Sequence, residues 1–535
     1  MRLGYCNRLE MQALISVFDK KGVVEFAKVL ASKGFNVIST GGTFKSLQES
    51  GMKVTAVQDV TKFPEILGGR VKTLHPSIHG ALLARPDQPS HVEDLTRHQI
   101  ARIGLVAVNL YPFVETVSRA DTTLEEALEN IDIGGHTLIR AASKNFEHVV
   151  IVVDPTDYQW IAQRLEGGGG LESITLGERK KLALKAFKHA CAYDSAVANY
   201  LEFGSTPAGV ETTQFPEVLH PVFEKKQSLR YGENPHQKAA LYQMVGSKMG
   251  GVASGEKLHG PDLSYNNLLD GDAALRVIRE FGDTACCVIK HTNPCGLAVH
   301  SDQAEAYRRA FAGDSKSAYG GILGFNRTLT EAAALALKGV FYELIIAPDY
   351  EEGALKILRA KEKLRVLKVP EAGTQQAFDT PDIRTIGGGL LLQQPNPIIL
   401  GSVDEATKSW KVVTKIAPTK EQMADLLFAW RVSKHVKSNA IVVSKDQQIV
   451  AIGAGQPNRI QSLNICRRVG GDKVAGSVLA SDAFFPFADS IDAAQEAGIG
   501  CIVQPGGSIR DQEVIDAADK FGIPMVFTGN RNFLH

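Results

Sequence analysis

The stretch ALISVFDKKGVVEFAKVLASKGFNVISTGGTFKSLQESG, residues 13–51, is the most informative about the fold of the N-terminal half. ALISVF and FNVIST are short apolar runs that predict strands. KGVVEFAKVLASKG has the apolar spacing of a helix that ends at Gly34, and GGTFKSLQESG begins a second helical pattern. This βαβα alternation predicts a parallel sheet with helices packed on it.

The same alternation continues through the rest of this half. LVAVNLYPF (residues 105–113) and HVVIVVD (residues 148–154) are two further strand-like runs, and residues 175–201 predict one long helix. A polar, proline-containing stretch follows at residues 204–221. We therefore expect an N-terminal α/β domain over residues 11–158, a helical connection over residues 159–220 and a C-terminal region over residues 221–535.

The C-terminal region also mixes strand-like and helical patterns. CCVI, ELIIAP, AIVVS and GCIVQP predict strands, whereas EQMADLLFAWRVSKH and DQEVIDAADKFG predict helices. Two α/β units fit this region. The sequence has no fixed-period repeat and no low-complexity tract, which argues against a solenoid.

Composition limits the classes of partner. The chain has 59 basic and 59 acidic residues and therefore no global field for nucleic acid or an anionic membrane, so we expect a small-molecule partner. The 7 cysteines include no CxxC pair, which predicts reduced thiols in a cytoplasmic protein and no metal site. No apolar run is long enough to span a bilayer, and no signal peptide is recognisable.

Two glycine-containing stretches of the N-terminal half suit an anion. STGGT, residues 39–43, lies between a predicted strand and a predicted helix, where backbone N–H groups and the helix dipole favour a phosphate. LGGRVKTLHP, residues 67–76, adds donors from Arg70, Lys72 and Thr73. A simple helix cap and a solvated basic loop are the alternatives, and the sequence alone leaves them open.

Polar residues also follow the later strand-like runs. NLYPF, residues 109–113, ends an apolar run, where open parallel sheets place ligand contacts, although Tyr111 suits a packing role equally well. IDIGGHTLIRAASKN, residues 131–145, offers Asp132, and Arg140 and Lys144 are spaced to share one helix face. A lysine in a closed site can transfer protons near neutrality, whereas a solvent-facing lysine is the plainer alternative.

CCVIKHTNPCGLA, residues 286–298, is the corresponding stretch of the C-terminal region. An apolar run ends in Lys290, His291 and Asn293, which are a cation, a base and an amide. These groups suit general acid/base catalysis and the stabilisation of an oxyanion. A histidine with a purely structural hydrogen bond is the alternative.

Taken in order, these motifs resemble a known family. ISVFDKKG, STGGT, LGGRVKTLHP, NLYPF and IDIGGHTLIRAASKN resemble the inosine monophosphate (IMP) cyclohydrolase domain of the bifunctional purine-synthesis enzymes. SLRYGENPHQ, VIKHTNPCG, SNAIVV, GAGQPNRI, SDAFFPFADSID and TGNRNFLH resemble their aminoimidazole carboxamide ribonucleotide (AICAR) transformylase. The resemblance implies an α/β fold: a methylglyoxal-synthase-like parallel-sheet domain, followed by a transformylase region of two cytidine-deaminase-like units.

The resemblance also implies the last two steps of purine synthesis. 10-Formyltetrahydrofolate, a co-substrate, would give its formyl group to the 5-amino group of AICAR. The formyl-AICAR product would then close to IMP with loss of water. The family is usually homodimeric, so we expect a homodimer, and we expect no catalytic metal.

For ring closure, the resemblance implies a cluster of acid/base groups around the nucleotide. Lys144 is the expected proton-transfer residue, and Lys72, Tyr111 and Asp132 are expected beside the closing ring. The expected nucleotide contacts are Asp19, Lys20, Thr40, Gly41, Gly42, Thr43, Arg70, Val71, Thr73 and Asn109.

For formyl transfer, the resemblance implies His291 as general base, Lys290 as its electrostatic or acid partner and Asn439 as the residue that orients the formyl oxygen. The expected AICAR contacts are Arg230, Tyr231, Gly320, Glu343, Arg459, Phe484 and Arg531. The expected folate contacts are Ile460, Asp489, Ser508 and Ile509. Plainer roles exist for some of these residues: Arg531 could tie down the tail, and Asp489 could cap the helix that follows it.

Three other functions compete with this interpretation. A nucleotide- or phosphate-sensing regulatory protein without cyclohydrolase activity would use the same anion motifs, although Tyr111 and Lys144 argue against it. A zinc-dependent deaminase needs a PCxxC pair, and NPCGLAVH contains Cys295 without the second cysteine at that spacing. Methylglyoxal synthesis by the N-terminal half would require activity on dihydroxyacetone phosphate.

Overall fold

The computed structural model describes residues 11–119, 121–203, 215, 217–244, 250–370 and 382–535. Most of the predicted polar connection at residues 204–221 therefore lies outside the described residues. The chain divides into two compact units between Val222 and Phe223, with a short stretch at Met244 grouped with the first unit.

The first unit is a five-stranded parallel sheet with the order β3-β2-β1-β4-β5. Its strands are β1 (Gln12–Ser16), β2 (Asn36–Ser39), β3 (Thr55–Ala56), β4 (Ile103–Val108) and β5 (Val150–Val152). Its helices are α1 (Val23–Ser32), α2 (Gly41–Glu49), α3 (Val57–Thr61), α4 (Pro76–Leu83), α5 (Pro89–Arg97), α6 (Phe113–Val117), α7 (Leu124–Glu129), α8 (Gly134–Lys144), α9 (Tyr158–Glu166) and α10 (Leu176–Phe203).

The predicted βαβα pattern is confirmed by β1, α1, β2 and α2. Every residue of β4 is buried, as expected for a parallel strand covered on both faces. Helix α10 contributes Leu182, Ala186 and Tyr193 to the same hydrophobic core as the strands. The long predicted helix is therefore packed within the first unit.

Over its described residues, the second unit contains one mixed sheet of 12 strands and two small two-stranded sheets. Its strands are β6 (Phe223–Leu229), β7 (Ala239–Met244), β8 (Glu256–His259), β9 (Ala285–Lys290), β10 (Asn293–Val299), β11 (Ile322–Phe325), β12 (Leu344–Ala347), β13 (Arg365–Lys368), β14 (Asp382–Ile386), β15 (Gly389–Gln393), β16 (Lys411–Val412), β17 (Ile441–Lys445), β18 (Gln448–Gly453), β19 (Val478–Ser481), β20 (Cys501–Gln504) and β21 (Met525–Phe527).

The helices of the second unit are α11 (Tyr265–Ile278), α12 (Gln303–Gly313), α13 (Ser315–Ala318), α14 (Glu331–Ala336), α15 (Glu352–Arg359), α16 (Val403–Ala406), α17 (Lys420–Ser433), α18 (Arg459–Gly470), α19 (Asp489–Glu496) and α20 (Asp511–Phe521). The large sheet has the order β16-β21-β20-β19-β17-β18-β10-β9-β11-β12-β13-β8.

The two halves of this sheet repeat one topology. In the first half, the β9–β10 hairpin pairs antiparallel with β11, β12 and β13 continue in parallel, and β8 closes the edge antiparallel. In the second half, the β17–β18 hairpin, β19, β20, β21 and β16 have the same relations. The halves meet where Ala298 of β10 pairs with Gln448 of β18. The second unit is thus built from two α/β halves, as the sequence predicted, and the structure shows that the two halves share one sheet.

Candidate functional site

A cavity of about 670 Å³ opens at the carboxyl ends of β1, β2 and β4 in the first unit. The strand order reverses between β1 and β4, and open parallel sheets bind ligands at such a switch point. Its lining includes nearly all the residues that the sequence predicted for the nucleotide and the closing ring: Lys20, Thr40, Gly41, Gly42, Thr43, Arg70, Lys72, Thr73, Asn109, Tyr111 and Asp132.

The loop between β2 and α2 forms one wall of this cavity. Helix α2 begins at Gly41 after the N-cap residue Thr40, so its N-terminal backbone N–H groups face the cavity end of the sheet. The Thr43 hydroxyl accepts a hydrogen bond from the Val17 N–H (3.1 Å) and donates one to the Val17 carbonyl (2.8 Å). This pair ties the first turn of α2 to the residue that follows β1.

Two lysine side chains flank the same glycine pair. A Cβ added at Gly41, which has a φ of 53°, would lie 3.2 Å from Lys72 Nζ. A Cβ added at Gly42 would lie 3.7 Å from Lys20 Cε. Two ammonium groups beside the N-terminus of α2 make this wall suitable for a phosphate.

Glu65 completes this wall, and sequence reasoning missed it. Its carboxylate accepts a hydrogen bond from the Thr40 hydroxyl (2.8 Å), and its other oxygen lies 3.4 Å from Lys72 Nζ. The same lysine packs against Gly69, where an added Cβ would lie 2.8 Å from Lys72 Cε. The only sequence signal was an acidic residue just before a basic, glycine-rich loop, and that pattern fits a solvated surface loop equally well.

Another wall of the cavity contains Asn109, Tyr111 and Asp132. Asn109 accepts hydrogen bonds from the backbone N–H of Phe18 (2.6 Å) and of Asp19 (3.1 Å), and thereby orients the end of β1. Tyr111 is 42% exposed, and its ring meets the Phe18 ring edge-on at 5.8 Å. An exposed phenol at a cavity wall is available to a ligand.

Asp132 is the most buried acid in this wall. Its carboxylate accepts the Gly135 N–H (2.7 Å), and its backbone N–H donates to the Tyr193 hydroxyl of α10 (2.8 Å). Burial raises the pKa of Asp132, although backbone hydrogen bonds oppose this effect. A carboxyl group with a raised pKa is suited to proton transfer nearer neutrality.

Three predicted residues of this site, Lys144, Asp19 and Val71, stand apart from the cavity lining. Lys144 is exposed at the far end of α8, which has 11 residues, so it lies about 15 Å along the helix from the cavity wall at Gly134. Asp19 binds the Lys21 N–H, and Val71 pairs with Ile66, and neither lines the cavity. Arg70 lines the rim, where it forms an ion pair with Glu129.

In the second unit, the predicted catalytic dipeptide lies at the tip of the β9–β10 hairpin. Lys290 ends β9, and His291 is exposed in the turn. The Lys290 ammonium donates to the Tyr319 carbonyl (2.7 Å) and lies close to Gly320, where an added Cβ would be 3.3 Å from Nζ. One of its three donors is thus used, which leaves two for a substrate.

Asn293 connects this hairpin to the segment that precedes β17. Its side chain donates to the His291 carbonyl (3.1 Å) and accepts the Lys437 N–H (3.0 Å). The predicted Asn439 lies two residues further on, and its amide donates to the Gln456 carbonyl (2.9 Å). The structure therefore brings the Lys290–Asn293 turn and the segment of Asn439 together.

The buried carboxylate of Asp482 contacts one of the arginines that the sequence assigned to the nucleotide. Asp482 is fully buried and accepts Arg459 Nη2 (3.1 Å) and the Ser438 hydroxyl (2.6 Å). The Phe533 ring lies 5.8 Å from the Arg459 guanidinium and 4.7 Å from that of Arg531. Phe533 thus joins two arginines that the sequence assigned to the nucleotide, and sequence reasoning missed it.

The other predicted AICAR contacts have local partners. Arg230 stacks on the ring of Tyr231 at 4.8 Å. Glu343 forms an ion pair with Arg365 (2.7 Å), and Phe484 is 39% exposed. These contacts do not by themselves join Arg230, Tyr231, Glu343 and Phe484 to the hairpin.

The predicted folate residues lie on the second half of the sheet. Ile460 follows Arg459 in α18, and Ile509 is fully exposed in the loop before α20. Ser508 accepts the Arg510 N–H (3.1 Å). Asp489 is exposed and is the first residue of α19, whose N-cap residue is Ala488, so Asp489 is not the cap of this helix.

The described part of the chain contains no group of three or more His, Cys, Asp or Glu side chains that could hold a metal ion. Within the same residues, no helix combines the length and the apolar character needed to cross a membrane.

The fold and the two sites define a two-unit α/β enzyme with groups for small anionic substrates. Residues 22–137 match the model of the MGS-like domain, and residues 142–468 match the model of the AICARFT/IMPCHase bienzyme. The chain belongs to the AICARFT/IMPCHase bienzyme family.

Curated relatives match over the full length. The "Bifunctional purine biosynthesis protein purH" of Dictyostelium discoideum is 67% identical, over 98% of this chain and 100% of its own. The proteins of the same name from Acetivibrio thermocellus and Bacillus cereus strain AH187 are 46% and 48% identical, over 98% of this chain and 99% and 100% of their own. A solved structure described as "Crystal structure of ForH" covers 36% of this chain and 99% of its own at 37% identity and a TM-score of 0.33.

Proposed function

We propose that the second unit transfers the formyl group of 10-formyltetrahydrofolate to AICAR and that the first unit closes formyl-AICAR to IMP. The chain is a bifunctional enzyme of purine biosynthesis with AICAR formyltransferase and IMP cyclohydrolase activities, by its family and its full-length relatives. The observation that supports the division between units is that each unit gathers its own set of acid/base and anion-binding groups.

Formyl transfer needs help because the acceptor amine of AICAR is conjugated to an electron-poor imidazole. His291 takes the proton as the amine nitrogen attacks the formyl carbon. Lys290 stabilises the oxyanion or protonates the folate nitrogen as its bond to carbon breaks. The anchored position of the Lys290 ammonium supports this role, because preorganised donors stabilise developing charge without reorganisation.

Substrate binding in the second unit uses the residues that the resemblance implies. The Arg459 and Arg531 guanidiniums bind the phosphate of AICAR, with Arg230, Tyr231, Gly320, Glu343 and Phe484 as further contacts. The folate binds beside Ile460, Asp489, Ser508 and Ile509. Bidentate donation by arginine suits a phosphate, and two guanidiniums share the Phe533 ring.

Ring closure requires proton removal from the carboxamide nitrogen, attack on the formyl carbon and protonation of the formyl oxygen as water leaves. The geometry favours Lys72, Tyr111 and Asp132 for these transfers, because all three line the cavity. The wall of residues 40–43 holds the phosphate with Lys20. Lys144 stays a prediction for proton transfer, and its position at the far end of α8 argues for a weaker effect than that of Lys72.

Absorbance-monitored turnover with separate substrates tests this assignment. The wild type should form IMP from AICAR and 10-formyltetrahydrofolate, and it should also close supplied formyl-AICAR. Lys72→Ala should slow ring closure more than Lys144→Ala, with formyl transfer unchanged in both. A wild type that binds nucleotide without either turnover would instead make the chain a nucleotide sensor, and a Lys144→Ala variant slower than Lys72→Ala would return proton transfer to Lys144.

A cytoplasmic homodimer without a catalytic metal completes the proposal. Exposed Ile386, Leu390 and Leu391 on the β14–β15 hairpin support self-association, because exposed apolar side chains mark interaction surfaces. Light scattering should give twice the mass of the chain, and a monomer at assay concentrations would contradict this. Both activities should survive a metal chelator, and their loss would require a metal.

A further inference from the structure

The turn that carries the proposed base of formyl transfer has an unusual backbone. Lys290 pairs with Asn293, so His291 and Thr292 are the two loop residues of the β9–β10 hairpin. Both have positive φ angles, 51° and 62°. Two-residue hairpin turns of this kind favour glycine and asparagine, and a β-branched residue at positive φ is an outlier. Contacts outside the turn must therefore hold this conformation.

Asp270 of α11 supplies the main contact. Its carboxylate accepts the Thr292 N–H at 2.6 Å, which is a short, charge-assisted hydrogen bond. Burial raises the pKa of Asp270, whereas hydrogen bonds from the backbone of Thr292 and His291 and the charges of His291 and Lys290 lower it. Helix α11 itself packs on β9 and starts in a capping box at Ser264. The carboxylate thus fixes the turn to a rigid element.

The second half of the sheet contains the same arrangement of a helix carboxylate bonded to a hairpin turn. Asp446 and Gln447 are the two loop residues of the β17–β18 hairpin, with φ angles of 54° and 53°. Asp425 of α17 accepts the N–H of Asp446 (2.9 Å) and of Gln447 (2.7 Å). Helix α17 occupies the position of α11 in the repeated topology. A carboxylate under a left-handed hairpin turn is therefore a feature of both halves, and only one of the two turns carries a histidine.

We propose that Asp270 is the positioning residue for formyl transfer: it holds the left-handed His291–Thr292 turn and thereby sets the direction of the His291 side chain. The proposal rests on the proposed function of His291. Asp270 contacts backbone N–H groups rather than substrate, so it acts through the turn. Without its carboxylate, Thr292 returns to negative φ, and the ring of His291 turns away from the reacting amine.

The test compares Asp270→Ala with the matched variant Asp425→Ala, in the full-length enzyme. Each variant removes one carboxylate under one hairpin turn. Asp270→Ala should lower kcat for formyl transfer by about 100-fold, because a displaced catalytic group loses that order of rate. KM for AICAR should stay within about twofold of the wild type, since phosphate binding is separate from the turn. Asp425→Ala should keep formyl transfer, and both variants should keep the cyclohydrolase activity of the first unit.

A rescue variant separates positioning from a loss of folding. Glycine at position 292 adopts positive φ without help from Asp270. The kcat of Asp270→Ala/Thr292→Gly should therefore be at least about tenfold higher than that of Asp270→Ala. Equal kcat in Asp270→Ala and Asp425→Ala would overturn the inference, and so would a double variant no faster than Asp270→Ala. If the wild type lacks formyl transfer, or if His291→Ala retains it, the proposed function fails before the role of Asp270 is in question.

Discussion

Replacing Glu280 by glutamine should destabilise the second unit by about 3–5 kcal/mol, the cost of breaking a buried ion pair by removing one partner. The Glu280 and Lys434 side chains are each only 2% exposed. One Glu280 oxygen accepts Lys434 Nζ (2.6 Å) and His435 Nε2 (3.0 Å), and the other accepts the Ile399 N–H (3.3 Å). Glutamine keeps the shape but leaves the Lys434 ammonium buried beside neutral acceptors.

The size of the expected destabilisation follows from the charge of Lys434, which remains after the carboxylate is removed. Burial alone would raise the pKa of Glu280, but the hydrogen bonds and charges of His435 and Lys434 outweigh burial and lower it. Burial lowers the pKa of Lys434 despite the attraction of Glu280. Loss of the carboxylate lets Lys434 release its proton, which limits the cost to a few kcal/mol. Adding Lys434→Met removes the unpaired cation and should restore most of the stability.

Urea unfolding followed by tryptophan fluorescence measures this effect. Trp410 and Trp430 both lie in the second unit, and Trp430 belongs to α17 with Lys434 just beyond its end. A Trp160→Phe background removes the tryptophan of the first unit, so that the signal reports on the second unit. Glu496→Gln is the control, because its ion pair with Arg467 is exposed and should cost less than about 1 kcal/mol. If Glu280→Gln costs no more free energy of unfolding than the control, the buried ion pair does not stabilise the second unit.

Three further changes test other parts of the molecule. Glu65→Gln should lower kcat/KM for ring closure about tenfold, because Lys72 loses the partner that positions it, and formyl transfer is the internal control. An unchanged kcat/KM would show that Glu65 does not contribute to ring closure. Phe533→Leu should raise KM for AICAR about tenfold through two lost cation–π contacts, whereas Phe533→Tyr should not, and equal KM values in both variants would contradict this. Burial lowers the pKa of His435 in the folded unit. As the pH falls below about 6.5, His435 is therefore protonated more readily in the unfolded chain than in the folded unit, and stability decreases. The urea concentration at the unfolding midpoint should therefore decrease when the pH is lowered from 7.5 to 5.5, and the decrease should be larger in the wild type than in His435→Gln. An equal decrease in both proteins would show that His435 is not its cause.

The fold of the first unit was largely predictable from sequence, because the spacing of apolar residues indicates which side of each strand or helix is buried. The β-branched runs became β1 and β2, and the helical spacing between them became α1 (Val23–Ser32). Parallel strands bring their carboxyl ends to one edge, so Thr40, Asn109 and neighbouring polar residues meet without further information. Glu65 could not be found in this way, because its contacts depend on how one irregular loop folds back.

The second unit was less predictable. The sequence shows strand-like runs but does not reveal that two halves share one sheet, because the repeat lies in topology and not in residue identity. The turn at His291 and Thr292 lacks the Asn-Gly signal of a two-residue hairpin. The run before it therefore predicted the end of a strand rather than a hairpin tip, and Asp270, 22 residues before Thr292, carried no signal of its own.

We infer that each unit carries one reaction, and two variants, assayed separately and as a mixture, test this division. His291→Ala should lose formyl transfer yet close supplied formyl-AICAR, and Asp132→Asn should do the reverse. Neither variant should form IMP from AICAR and 10-formyltetrahydrofolate alone, whereas a mixture should form IMP because formyl-AICAR passes from one to the other. Loss of both activities in either variant, or IMP formation by either variant alone, would show that the two reactions are not divided between the units.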